Sequence, residues 1–267
     1  MFSPDGRRVY YMVDRRPQGP ASELWSTEIG TGKSQVVVSE AGLFGFDIWP
    51  DGRNVVYSVE TKHGVHSLWS ARVDHMVPPR QLTSNGNELS PVFTPQGDLL
   101  LMSYEGEESF LYKMKPDGSE RRKIYGRPVI QLETISPDGR WAVVQAAIEN
   151  EDVPRGILAI PLEGGTPFRI CSGLCVVRWP MNGKSMILAV IGGSHGRMLG
   201  WGTYIVPLPS GQTFPKLPPM GVASKEDAAA LPGAKFVDSF VLPGDDEEIY
   251  AFSRTTVHRN LFQIPVP

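Results

Sequence analysis

The chain has 267 residues, a formal net charge of -3 and no long apolar block. So small a charge excludes a general nucleic-acid binder, which carries a basic stripe. No apolar run reaches about 18 residues, so no helix here is built to span a bilayer, and no membrane contact by the chain itself is expected. Gly (28) and Pro (24) are both frequent, which means many turns and few long helices.

The first element is a turn, Phe2-Ser3-Pro4-Asp5-Gly6, followed by the apolar run Val9-Tyr10-Tyr11. The same arrangement returns as Trp49-Pro50-Asp51-Gly52 before Val55-Val56-Tyr57. It returns again as Thr94-Pro95-Gln96-Gly97 before Leu99-Leu100-Leu101, and as Ser136-Pro137-Asp138-Gly139 before Trp141-Ala142-Val143. A fifth copy drifts to Trp179-Pro180-Met181-Asn182-Gly183, and a sixth, degenerate one reads Leu242-Pro243-Gly244-Asp245. The prolines stand at 4, 50, 95, 137, 180 and 243, a period near that of a four-stranded propeller blade except for the last, longer step. Proline presets φ at the first turn position, Asp bonds back to its own backbone, and Gly accepts positive φ. A hydrophobic run on each side makes every turn a link between adjacent strands.

Each unit continues with a third strand, such as Glu23-Leu24-Trp25-Ser26, Ser67-Leu68-Trp69-Ser70 or Phe110-Leu111-Tyr112. An outer strand closes the first five units: 35–38, 80–83, 122–124, 168–170 and 214–217. The expected fold is therefore all-β, a six-bladed β-propeller of four-stranded antiparallel blades forming one domain over 1–267. The blades are placed at 1–39, 40–84, 85–126, 127–172, 173–217 and 234–267, with an insertion at 218–233. Within the insertion Ser224 precedes Lys225-Glu226-Asp227 and an Ala run, which reads as a capped short helix. It is expected either to lean over the ring mouth or to fill space.

The first and last blades come out incomplete, each short of a strand. About 15–25 residues upstream would supply both missing strands, and unpaired edges would favour self-association. With no apolar leader at Met1 the chain as written is expected in the cytoplasm, while an upstream signal or membrane span would place it in the periplasm or outside the cell.

The SPDG and WPDG turns, each followed by an L-W or L-Y strand, resemble the PD40 repeats of WD40-like, TolB-type propellers. The resemblance covers nearly the whole chain. It implies the fold, and for function it implies only that scaffolds, sensors and enzyme domains all occur on it. The C-terminal stretch from Tyr250 to Pro265 also resembles the end of propellers fused to bacterial receptor-type Ser/Thr kinases or winged-helix regulators.

Ligand sites of propellers are expected where strand-four-to-one and strand-two-to-three loops share a face, opposite the Pro-Asp-Gly turns. Polar residues predicted on that face are His63, His66, Asn87, Glu88, Glu133, His195, Trp201, Arg254 and His258. Both charge signs with His suit a small polar ligand or a protein partner. No catalytic set, metal site or cofactor is assigned. Gly192-Gly193-Ser194-His195-Gly196 fits the G-x-S-x-G elbow pattern, but the helix that motif needs does not follow. Cys171 and Cys175 are read as two ordinary thiols, with a disulfide as the alternative. The expectation is a non-catalytic binding propeller, the sensor or interaction domain of a larger bacterial protein. The alternative is a hydrolase, either an esterase or lactonase, or the propeller of a prolyl-oligopeptidase-like peptidase.

Overall fold

In the computed structural model the described residues are 1–14, 22–40, 42–61, 64–84, 86–148, 155–180, 182–192, 202–244 and 248–252. They form a propeller of antiparallel sheets. Blade one holds three strands, β1 (Arg8–Asp14), β2 (Ser22–Glu28) and β3 (Ser34–Glu40). Blade two is β4 (Leu43–Ile48), β5 (Asn54–Glu60), β6 (His66–Arg72) and β7 (Arg80–Gln81). Blade three is β8 (Glu88–Phe93), β9 (Leu99–Glu105), β10 (Glu108–Met114) and β11 (Arg122–Lys123). Blade four is β12 (Gln131–Ile135), β13 (Trp141–Ala147), β14 (Arg155–Pro161) and β15 (Phe168–Ser172). Blade five is β16 (Leu174–Arg178), β17 (Ser185–Gly192), β18 (Thr203–Pro207) and β19 (Lys235–Val237). The sixth repeat contributes a two-stranded ribbon, β20 (Val241–Pro243) and β21 (Tyr250–Phe252). Among the described residues, five blades and a ribbon thus stand where six blades were expected. Its turn has lost the Pro-Asp-Gly order, and each of its described strands is three residues long.

The second strands of blades two to five are apolar on both faces because each face meets neighbouring elements of the ring, whereas β1 of blade one leaves Tyr11 and Met12 exposed. Along β9, Leu99 and Leu101 pack with Val56 and Leu68 of blade two, whereas Leu100 and Met102 pack with Ala142 and Val144 of blade four. That alternation is the period of two of a strand. Leu99, Leu100 and Leu101 are all fully buried, and each such side chain stabilises the ring by about 1.5–3 kcal/mol. The turns hold as the sequence dictates. In blade two Asp51 Oδ1 accepts the N–H of Arg53 at 2.7 Å, and Gly52, at φ +66°, donates its N–H to the Trp49 carbonyl at 2.8 Å.

Two expectations are corrected in blade five. Residues 214–217 form no strand; the outer strand is Lys235–Val237, paired with β18. The insertion therefore lies inside blade five, and the boundaries 173–217 and 234–267 do not mark the blades. The reason is chemical: Pro215, Pro218 and Pro219 lack the N–H a ladder needs. Phe214 leaves the sheet and packs edge-on against Trp141, Phe168 and Trp179. The capped helix forms as predicted, α1 (Lys225–Ala229), with Ser224 Oγ accepting the Asp227 N–H and Asp227 Oδ2 accepting the Ala223 N–H. It fills space. Val222, Ala228 and Leu231 join the core shared by blades four and five.

Cys171 and Cys175 are joined in a disulfide, contrary to the expected free thiols. The turn Ser172-Gly173 between blades brings the two thiols together, with Gly173 at φ +90°, and burial hides both.

Candidate functional site

The inner strands β4, β8, β12 and β16 converge on the ring axis, and their C-terminal ends lead into the Pro-Asp-Gly turns. A cavity of about 690 Å³ lies there. Its rim includes Pro4, Pro95, Pro137, Pro180 and Pro243, and its wall includes Phe46, Ile48, Val92, Ile135 and Trp179. Three charged side chains enter it: Asp47, Glu133 and Arg178. The turn face, opposite the face expected to hold a ligand, thus borders this cavity.

One position in each repeat builds the layer that carries the charge. Counting back five residues from the turn glycines Gly6, Gly52, Gly97, Gly139 and Gly183 gives Met1, Asp47, Val92, Thr134 and Arg178, all of which line the cavity. These residues face the axis because each occupies the same register in its blade: Asp47 pairs with Val56, Thr134 with Val143 and Arg178 with Ile187. Glu133 joins the layer through the register shift between Leu132 and Thr134, which turns an extra residue toward the axis.

Asp47 is spent on architecture. Its Oδ1 accepts the N–H of Ile48 at 2.9 Å and its Oδ2 accepts the N–H of Phe93, in the next blade, at 2.7 Å. Burial nevertheless pushes its carboxyl up to about 7, the two backbone bonds, the Met1 amino group and Arg178 pulling the other way. Burial also raises Glu133, with Arg178 opposing. The Arg178 guanidinium is lowered by burial against the attraction of Glu133 and Asp47. Its Nη1 donates to the Val177 carbonyl at 2.7 Å, and its Nη2 lies 3.9 Å from Glu133 Oε2.

Of the residues predicted on the loop face, the structure brings His66 and Asn87 together. Asn87 Oδ1 accepts the His66 backbone N–H at 2.9 Å and lies 3.2 Å from His66 Nδ1. The exposed Phe44 ring meets His66 edge-on. Glu88 turns inward instead. It is 2% exposed, its Oε1 lies 3.4 Å from Arg121 Nε, and its Oε2 has no hydrogen-bond partner among the described residues. That side chain is buried within blade three, beside Arg121 and opposite Ser103, and does not lie on the solvent-facing loops. Glu133 likewise belongs to the axial cavity and not to the loop cluster. His63, His195, Trp201, Arg254 and His258 lie outside the described residues, as does Ser194. Asp47 and Arg178 were missed by the sequence reading, although the glycine-anchored register would have found them: aspartate and arginine stand in a column otherwise held by Met1, Val92 and Thr134.

The sequence matches no family model and no curated protein. Solved structures do match. TolB from Acinetobacter baumannii aligns with a TM-score of 0.61 at 17% identity, over 79% of this chain and 52% of that one. The fold is that of the TolB-type β-propellers. A putative TolB from Agrobacterium tumefaciens aligns with a TM-score of 0.59 at 15% identity, over 79% of this chain and 76% of the other. Puromycin hydrolase aligns with a TM-score of 0.53 at 19% identity, over 78% of this chain and 37% of that enzyme. The chain spans about half the length of the A. baumannii protein. Identities this low establish the propeller and leave function to the chemistry of the site.

Proposed function

We propose that this chain is a non-catalytic, ligand- or protein-binding TolB-like propeller, with its binding site in the axial cavity. The observation that carries the reading is the division of labour among the three charges. Asp47 is held by two backbone N–H groups, while Glu133 and Arg178 face the cavity with most of their hydrogen-bonding capacity unspent. Polar groups converging in an apolar cavity of this size are the usual form of a ligand site. In this reading the β20–β21 ribbon occupies a sixth ring position, and the domain serves as the sensor or interaction module of a larger protein. The buried Cys171–Cys175 disulfide favours an oxidising compartment for it. Nothing in the fold supports the kinase-fused context.

The test is titration of candidate polar metabolites and short peptides, followed by the fluorescence of Trp179 in the cavity wall. Saturable quenching that is lost in Arg178→Leu supports the reading. Robust turnover of simple esters by the isolated chain refutes its non-catalytic part. The hydrolase alternative draws on the likeness to puromycin hydrolase, with this chain as the propeller beside a separate catalytic domain.

A further inference from the structure

The axial cavity sets two opposite charges side by side without joining them. A guanidinium carries five N–H donors, and among the described residues one of those of Arg178 is met, by the Val177 carbonyl. The 3.9 Å separation between Arg178 Nη2 and Glu133 Oε2 is an ion pair too long for a hydrogen bond. No described residue donates a hydrogen bond to either Glu133 oxygen. Both side chains are largely withdrawn from solvent, with exposures of 30% and 13%, so each unmet group carries a desolvation penalty. Around them the wall is apolar, with Phe46, Ile48 and Trp179 on the same cavity.

The charge balance decides what would fill this gap. Asp47 already faces the Met1 amino group, so a simple carboxylate would satisfy Arg178 but crowd the Glu133 carboxylate beside it. A simple amine would satisfy Glu133 and leave the guanidinium unmet. A ligand carrying an acceptor and a donor on adjacent atoms meets both. Planar carboxylates suit the guanidinium fork, and an ammonium suits the free oxygens of Glu133.

We propose that the axial cavity binds a small zwitterion of the α-amino-acid kind with an apolar side chain, its carboxylate on Arg178 and its ammonium on Glu133. The side chain lies against Phe46, Ile48 and Trp179. Asp47 is a positioning residue, since it ties β4 to β8 and so fixes the wall opposite. This assignment rests on the binding reading above and names its ligand class.

Calorimetric titration of the whole chain with free leucine, N-acetylleucine and leucinamide tests it at neutral pH. Leucine binds, and blocking either end weakens binding about tenfold or more, the weight of one charge-assisted contact. Arg178→Leu abolishes leucine binding. Glu133→Gln weakens leucine while strengthening N-acetylleucine, because a like charge has been removed; a merely structural role would not separate the two ligands. Should Arg178→Leu fail to fold in a thermal melt, Glu133→Gln decides alone. The assignment is overturned if leucine does not bind the folded protein. It is equally overturned if the three ligands bind alike, or if Glu133→Gln shifts both ligands together. Binding of the blocked forms as tightly as leucine leaves the binding reading standing, whereas ester turnover removes that reading itself.

Discussion

Replacing Gly221 by alanine should unseat the 218–233 insertion from blade four. Gly221 sits at φ +72°, and a Cβ there would stand 2.9 Å from the carbonyl carbon and oxygen of Ile170. The left-handed backbone alone costs a non-glycine residue about 1–2 kcal/mol. The contact is with backbone, so it cannot be relieved by a rotamer change. Relief means breaking the bridge at Val222, where Val222 N–H donates to the Ile170 carbonyl at 2.8 Å and Ser172 N–H to the Val222 carbonyl at 2.9 Å. Two backbone bonds at about 0.5–1.5 kcal/mol each and partial exposure of the buried Val222 bring the total to about 3–5 kcal/mol. Gly211 supplies the control. Its φ is +74°, but nothing lies within 4 Å of a Cβ there, so Gly211→Ala should cost only the backbone term, about 1–2 kcal/mol. Urea unfolding of the three proteins measures the difference. Equal destabilisation by the two substitutions would refute the docking of the insertion.

Three further outcomes follow from particular groups. Reducing the Cys171–Cys175 disulfide, which closes a short loop, should lower stability by about 2 kcal/mol, read as a shifted unfolding midpoint with and without reductant. The raised carboxyl of Asp47 holds its proton more tightly folded than unfolded. Its contribution is therefore present at low pH, declines as pH rises from about 4, and is lost above about 7. Wild-type stability minus that of Asp47→Asn should accordingly fall across that window, by on the order of 4 kcal/mol at most; the Met1 amino group, held up by the Asp47 charge against its own burial, shares in that difference. A difference that rises with pH would contradict the burial of Asp47. Finally, Ser194→Ala should leave any background hydrolysis of simple esters unchanged, and a lost rate would revive the serine-elbow reading.

Much of the blade architecture was legible because it is local. Pro-Asp-Gly turns are specified by φ preferences and by the reach of one side chain, so Asp51 and Gly52 announce their turn without knowing the rest of the chain. The Ser224 cap was readable for the same reason. The outer strand of blade five was not. Residues 214–217 carry the apolar Phe214 and Leu217, but proline and the aromatic packing of Phe214 outweighed them, and a strand some twenty residues later took the place. The Cys171–Cys175 pairing also escaped, because it depends on how the turn between two blades brings the thiols together.

The candidate site divides along the same line. By itself the sequence determined the repeat, the turn chemistry and the strand faces, since these follow from dihedral preference and a period of two. Only the tertiary structure decided that five register positions meet at one axis, that Asp47 is consumed by the backbone of the next blade, and that Arg178 and Glu133 share a cavity without meeting. Those facts depend on the closing of the ring, which brings residues far apart in sequence into one low-dielectric space, and no local preference encodes that distance.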